Sequence, residues 1–272
     1  MSDIVIIPPG ESAHLDPASS AFAHGFGLFE TMRYAGGRLY FWKDHWARLA
    51  KSAKHFALVL PNEDAVLAAL RELVTTTNLD EATLKLSLVK GTEGSRLFVY
   101  TRPPIPAPEG RRLRLDTTCP IFPRSLLAGH KTHNYMEAMH LLGLARAQGY
   151  YDTLRVDAEG NLAETTTANL FFVKDDRLHA PSLDTGILPG VTRAALLSAR
   201  DLEIEEGHYL PELLREAETV FVTNATNGLQ AIERIEGFAD GQSADFATAS
   251  EALASVLSVL VRAQAARAQQ LI

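Results

Sequence analysis

The chain carries one cysteine in 272 residues, Cys119. A lone thiol builds no internal disulfide framework, so the fold must hold through its own apolar core, as suits a reducing compartment. Cys119 precedes Pro120 with no metal or redox motif around it, and a buried bystander role is expected. Long apolar runs are missing as well: "ALASVLSVLV", residues 252–261, falls far short of a membrane span. The start, "MSDIVIIPPGE", lacks the basic and apolar regions of an export signal, so a cytoplasmic protein without membrane contact is expected. No block of Lys and Arg occurs either. The 26 basic residues are outnumbered by 33 acidic ones for a net charge of −7, which argues against a nucleic-acid footprint and leaves small molecules as expected partners. No internal repeat or low-complexity tract is present.

What is there reads as alternating strands and amphipathic helices over a length that suits two domains. "DIVIIPP" is a short strand. "GLFETMRYAGGRLYFW" is a hairpin turning at "AGG". "KDHWARLAKSAKHFAL" places Trp46, Leu49, Ala53 and Phe56 at helical spacing, with Asp44 expected as its cap. "NEDAVLAALRELVTTTNL" is a second helix, and "ATLKLSLVKG" and "SRLFVYTRPP" alternate as paired strands. "TRPPIPAPEG" is a proline-rich loop, "RRLRLDTT" a strand, and "CPIFPRSLLAGH" an irregular passage. Together these predict a small α/β domain over residues 1–119, a linker over 120–130 and a larger domain over 131–272. In the latter, a helix from an Asn134 cap to Gly149 places Met139, Leu142 and Ala145 on one side. Three or four strands follow in "YDTLRVDAEGNLAETTTANLFFVKDDRLHAP". A helix opens in "LPGVTRAALLSARDL", "TVFVTNATNGLQAIERI" is strand, turn and strand, and a long alanine-rich helix ends the chain.

The densest cluster of reactive side chains is "GHKTHNYMEAMH", residues 129–140. His133, Glu137 and His140 have the spacing of a helix face, yet no further ligand completes a shell and Lys131 stands between two histidines, so no metal is expected. Lys131 itself lies in an irregular segment, where an amine can face a cleft and act on a carbonyl if its surroundings favour the neutral form. "LPGVTR", residues 188–193, offers helix-start amides and the Thr192 hydroxyl to an anion. "TNATNG", residues 223–228, is a second polar turn of that kind. Glu164 falls in an apolar strand pair, where a carboxylate is either matched by surface cations or buried against a positive partner.

A lysine, a carboxylate and two anion cradles are the parts that pyridoxal phosphate requires. The run "HKTHNY…EAMHLLGLARAQGYYDTLRVDAEGNLAETTTANLFFV…LPGVTR" resembles the class IV aminotransferases, the fold-type IV pyridoxal phosphate family. That family includes branched-chain and D-amino-acid aminotransferases and aminodeoxychorismate lyases. The likeness covers nearly the whole chain, with "HGFGLFETMRYAGGRLYFWKDHWARLAKSA" resembling the family's first hairpin and helix. It implies the D-amino-acid-aminotransferase-like fold, a small α/β domain plus a larger pseudo-barrel domain, and a homodimer.

Position by position, the resemblance makes Lys131 the Schiff-base lysine and Glu164 the partner of the pyridine nitrogen. Arg48, in His-x-x-Arg-Leu, becomes the phosphate-binding arginine. Val191 and Thr192 become one phosphate contact, and Asn224, Ala225 and Thr226 the other. Tyr135 falls near a tyrosine that some members place by the cofactor hydroxyl, at a spacing one residue shorter. For the substrate, His24, Phe29 and Arg96 are candidates. Here the chain departs from the family: "HGFGLFE" replaces a Y-G-D-G-x-F/Y-E pattern, and "KGTEGSRLFVY" lacks the Arg-x-His carboxylate trap of the D-specific enzymes. The tyrosine and arginine that branched-chain enzymes carry in this strand have no clean match. The implied activity is amino-group transfer between an amino acid, branched-chain-like L-amino acids foremost, and a 2-oxo acid. The alternative is lysis of aminodeoxychorismate to 4-aminobenzoate and pyruvate.

Overall fold

A computed structural model of the chain describes residues 3–103 and 108–272. The central prolines of the loop expected over 101–110, at 104–107, lie outside the described residues. Two units form. One takes in Met1–Ile105, His130–Tyr135 and Gln264–Ile272, the other Pro106–Gly129 and Met136–Ala263.

In the first unit, strands β1 (Asp3–Ile7), β2 (Gly27–Ala35), β3 (Arg38–Tyr40), β4 (Glu81–Lys90) and β5 (Ser95–Arg102) form one sheet with the terminal strand Ala268–Gln270. Its order is β1-β5-β4-β2-β3-terminal strand. Alternation along β2 and β4 sorts the side chains onto two faces. Leu28, Met32 and Tyr34 of β2, Leu84, Leu86 and Leu88 of β4, and Leu97 and Val99 of β5 point into one buried core. Helices α2 (Trp42–His55) and α3 (Glu63–Thr76) contribute Leu49, Ala53, Val66, Leu70 and Leu73 to it. A short α1 (Ser20–His24) precedes β2.

Register defines the opposite face: Phe29 lies beside Ser87 and Phe98, Thr31 beside Lys85 and Tyr100, and Arg33 beside Thr83 and Arg102. Segment 131–133 extends this sheet along the free edge of β2. The Phe29 N–H donates to Lys131 O at 2.9 Å and the His133 N–H to Gly27 O at 2.8 Å, with Leu28 bridged to Thr132. The sequence reading began the larger domain at residue 131; these backbone bonds place His130–Tyr135 in the first unit instead. Gly27 permits the approach, since a Cβ there would meet Leu88 O at 3.0 Å and the His133 ring at 3.2 Å.

Two expected caps take other positions. Helix α2 starts at Trp42 behind Phe41, which adopts a left-handed conformation (φ 58°), and Asp44 lies in the first turn. Burial of both Phe41 and Trp42 drives this early entry into the helix. Asn134 does not cap the next helix, α4 (Met136–Ala147); its amide donates to Gly25 O instead.

In the second unit, β6 (Arg112–Ile121) pairs in parallel with β7 (Asp152–Asp157), and β8 (Leu162–Thr165), β9 (Asn169–Lys174) and β10 (Arg177–Pro181) follow as expected. The turn between β9 and β10 is made by Asp175 and Asp176, both left-handed. Helix α5 (Val191–Leu197), β11 (Ile204–Gly207), β12 (Thr219–Asn224), β13 (Gly228–Ile232), β14 (Arg234–Glu236), β15 (Ser243–Asp245) and α6 (Glu251–Ala266) complete it. The ten-stranded sheet runs β11-β10-β9-β8-β7-β6-β14-β15, and β12 branches from β9 and carries β13. Leu154, Leu170, Phe172, Val220, Ile232 and Ile235 fill its core. Cys119 is half-buried in β6 rather than sealed in a core, and its carbonyl accepts from Arg155 Nε at 3.0 Å. Among the described residues no helix is long and apolar enough to cross a membrane.

Candidate active site

Candidate residues occur in both units. In the first, the extension of the sheet by segment 131–133 sets Lys131 beside Phe29, on the face away from the core. The Lys131 amine stands 4.6 Å from the Phe29 ring centre and donates to the Tyr135 hydroxyl at 3.4 Å. Tyr135 meets the Phe29 ring edge-on at 5.1 Å. Of the residues marked for substrate, Phe29 and Arg96 lie on this face, Arg96 over the Phe98 ring. His24 is the exposed last residue of α1, off the sheet.

Under the same strand a charged trio is buried. Glu30 occupies an inward position of β2 and is 1% exposed. Arg48 donates to it through Nε at 2.8 Å and Nη2 at 2.6 Å, and His45 Nδ1 lies 2.6 Å from Oε2. Burial would raise the Glu30 pKa, but Arg48 and His45 overcome this and hold it at about 2. Burial lowers the His45 pKa against the pull of Glu30. An ionised carboxylate only accepts, so the His45 proton sits on Nδ1. Arg48 was expected from the sequence; Glu30 and His45 as its partners were not. An acid in the inward phase of an apolar strand, followed by His and Arg three apart on a helix, is the signal that marks them.

The histidines flanking Lys131 occupy distinct settings. His130 Nδ1 is 2.8 Å from Ser52 Oγ, and its ring stacks on His55 at 4.6 Å. His133 is pushed down to about 4, by burial first and then by the charge of Lys85. The charge of Lys131 acts on His45, helping to lower it. Glu137, prominent in the metal reading, pairs with Arg155 within the second unit.

In the second unit, Glu164 is held by two donors: Asn169 Nδ2 at 2.8 Å and the Leu188 N–H at 3.1 Å. Asn169 also donates to Leu188 O at 2.9 Å, which ties the carboxylate to the loop before α5. Gly190, the N-cap of α5, leaves room for Asn169, since a Cβ would stand 2.0 Å from Asn169 Oδ1 and force that side chain to shift. Three threonines after Glu164 anchor the segment, since the hydroxyls of Thr165, Thr166 and Thr167 all donate to the buried Asp152.

Helix α5 begins without a side-chain cap and packs against β12. Thr192 and Thr223 on this pair are 2% and 1% exposed, and among the described residues neither hydroxyl has a hydrogen-bond partner. A buried donor without an acceptor is costly, so such hydroxyls mark a place for an anion. Thr223 opens the "TNATNG" turn marked in the sequence, although the resemblance assigned the phosphate contacts to Asn224, Ala225 and Thr226. Asn224 is used inside its own turn: Oδ1 accepts from the N–H groups of Thr226 and Asn227 and from the Thr226 hydroxyl.

The family model for amino-transferase class IV matches residues 27–235. The chain belongs to the class IV aminotransferases. A probable branched-chain-amino-acid aminotransferase of Rickettsia conorii is 29% identical over 244 residues, 84% of each chain. An aminodeoxychorismate lyase of Bacillus subtilis is 26% identical over 257 residues, 88% of each. Among solved structures, a putative 4-amino-4-deoxychorismate lyase from Legionella pneumophila superposes with a TM-score of 0.83 at 24% identity, covering 96% of this chain and 99% of that one, which shows the shared fold. Class IV aminotransferases are pyridoxal phosphate enzymes, and this is the cofactor of the family. The residues present suit it: an amine at Lys131, an oriented carboxylate at Glu164, and two buried hydroxyls that have no partner among the described residues.

Proposed function

We propose that this chain is an aminotransferase that moves an amino group between an amino acid, branched-chain-like L-amino acids foremost, and a 2-oxo acid, with Lys131 as the reactive amine. The observation that carries this reading is the placement of the Lys131 amine on the Phe29 ring, fixed by backbone pairing of its own segment to β2. Bound pyridoxal phosphate supplies an electron-withdrawing ring that stabilises negative charge at the substrate Cα. Glu164, oriented by Asn169 and Leu188, holds the proton on the ring nitrogen. Thr192 and Val191 at the start of α5, and Ala225 and Thr226 in the turn shaped by Asn224, take the phosphate, and Thr223 joins them. Arg48 is the phosphate arginine, fixed in aim by its fork on Glu30.

Lys131 Nζ would take the proton from the substrate Cα and deliver it to C4′ of the bound cofactor, the general acid–base work that a positioned amine performs. Tyr135, in hydrogen-bond contact with that amine, steers it. Phe29 and Arg96 line the substrate face of the sheet, and His24 is assigned to the substrate from the resemblance alone. The working form is a homodimer, as the resemblance implies.

A panel of amino donors (L-branched, L-glutamate, D-alanine, aminodeoxychorismate) tests this, scored separately for 2-oxo acid and for 4-aminobenzoate plus pyruvate. Keto-acid formation from L-branched donors is expected. Pyruvate and 4-aminobenzoate as the sole products would overturn the transaminase reading in favour of the lyase.

A further inference from the structure

Asp152, the first residue of β7, carries a carboxylate with no exposed surface. Among the described residues five donors meet it. Oδ1 accepts from the Thr153 N–H at 2.7 Å, the Thr166 N–H at 3.2 Å and the Thr166 hydroxyl, and Oδ2 from the hydroxyls of Thr165 at 2.9 Å and Thr167 at 2.8 Å. Burial pushes the Asp152 carboxyl up, and these hydrogen bonds pull the other way. A carboxylate this deep is costly and persists only because its donors satisfy it.

Four of the five donors belong to one turn, residues 165–168. That turn joins Glu164, in β8, to Asn169, the first residue of β9, and the two stand opposite each other in the register. It is closed by the Thr165 N–H on Ala168 O at 2.9 Å and the Ala168 N–H on the Thr165 hydroxyl at 3.0 Å. A second link leaves it, because Thr167 O accepts from Asn224 Nδ2 at 3.4 Å. Asn224 shapes the polar turn that follows, and Thr223 stands opposite Asn169. Through three consecutive threonines, one buried carboxylate thus reaches both the segment that orients Glu164 and the turn after Thr223.

We propose that Asp152 is a positioning residue of the cofactor site, fixing Glu164 and the Asn224 turn relative to each other through residues 165–167. The cofactor side of this rests on the reading of Glu164 and that turn as contacts of pyridoxal phosphate; the tie itself rests on the hydrogen bonds. Asp152 acts on the aim of those contacts and makes none of its own. A carboxamide keeps its shape, since the amide oxygen takes the bonds at Oδ1 and the NH2 donates to Thr165 and Thr167, whose hydroxyls turn to accept. A methyl group keeps none of them.

The test compares wild type with Asp152→Ala, Asp152→Asn and Phe238→Ala, the last a buried core position beside the far edge of the sheet. Pyridoxal phosphate affinity and the induced circular dichroism of the bound cofactor are read by titration. Asp152→Ala is expected to lose roughly tenfold or more in affinity and to change the dichroism, because the contacts are misaimed. Asp152→Asn should recover both. Phe238→Ala should lower the unfolding midpoint yet bind cofactor within about twofold of wild type, as distant sites act independently. Wild-type affinity and dichroism in Asp152→Ala, no recovery in Asp152→Asn, or an equal loss in Phe238→Ala would overturn the assignment. Should Asp152→Ala fail to fold, Thr167→Val removes a single arm, and the same two readings decide. Amide exchange on the cofactor-free chains keeps the tie distinct from the aminotransferase reading. Faster exchange over both 164–169 and 224–228 in the variant upholds the tie even in a chain that takes up no cofactor, a result that would remove the aminotransferase reading alone. Unchanged exchange over either stretch would overturn the tie.

Discussion

Arg48 grips Glu30 as a fork, with Nε on Oε1 at 2.8 Å and Nη2 on Oε2 at 2.6 Å, inside the first unit's core. Such a pair does little for net stability when intact, because both charges have left water, but removing one partner strands the other. Glu30→Ala is therefore expected to cost about 3–5 kcal/mol, measured by denaturant unfolding. The pH dependence follows from the same pair. Glu30 titrates at about 2 when folded and near 4.5 when unfolded, so its contribution is present above pH 4.5 and is lost as pH falls toward 2. Glu30→Gln should flatten the unfolding profile across that window.

His133 works over a different range. Its folded pKa of about 4 lies below the ordinary 6.5, so the unfolded chain binds more protons between those values. Stability contributed by neutral His133 is present above pH 6.5 and is lost as pH falls toward 4. His133→Phe is expected to remove that part of the acid sensitivity, read as a smaller drop in unfolding midpoint from pH 7 to pH 5. An unchanged drop would contradict the assignment.

Gly190→Ala tests the link between the start of α5 and Glu164. The new Cβ would fall 2.0 Å from Asn169 Oδ1, so Asn169 must move and release the carboxylate. A loss of roughly 1–3 kcal/mol in stability is expected from the overpacking, together with weaker cofactor binding by absorbance titration. Wild-type stability and affinity together would refute this coupling.

Thr192→Val and Thr223→Val separate a ligand-binding hydroxyl from a structural one. Both hydroxyls are buried without an acceptor, so replacing them with a methyl should leave the cofactor-free chain as stable or more so. Affinity for pyridoxal phosphate should fall by a factor of roughly 10–150 for each, the worth of one hydrogen bond to a charged group. Destabilisation of the cofactor-free chain would mean that the hydroxyls serve the fold instead.

Local patterns in the sequence carried the strands and helices well. Alternation in "ATLKLSLVKG" and "SRLFVYTR" announces β4 and β5, and helical spacing from Trp46 to Phe56 announces α2. Non-local pairing was less legible. Nothing in "HKTH" says that its backbone completes the edge of β2, because that depends on Gly27 lying open to it. The return of Ala268–Gln270 to pair with β3 is likewise invisible in a chain read locally. Among the candidate residues, Lys131, Glu164 and Thr192 were marked by resemblance and motif, while Glu30 and His45 were not, because their meeting with Arg48 depends on how α2 packs on β2.

The central claim is that Lys131, and not its neighbour Lys85, is the reactive amine. Borohydride reduction of the cofactor-loaded chain, followed by peptide mass spectrometry, tests it directly. The pyridoxyl mass is expected on the peptide containing Lys131 and on no other, and Lys131→Ala should abolish it. A label on Lys85, or no label on a chain that has taken up cofactor, would contradict the account.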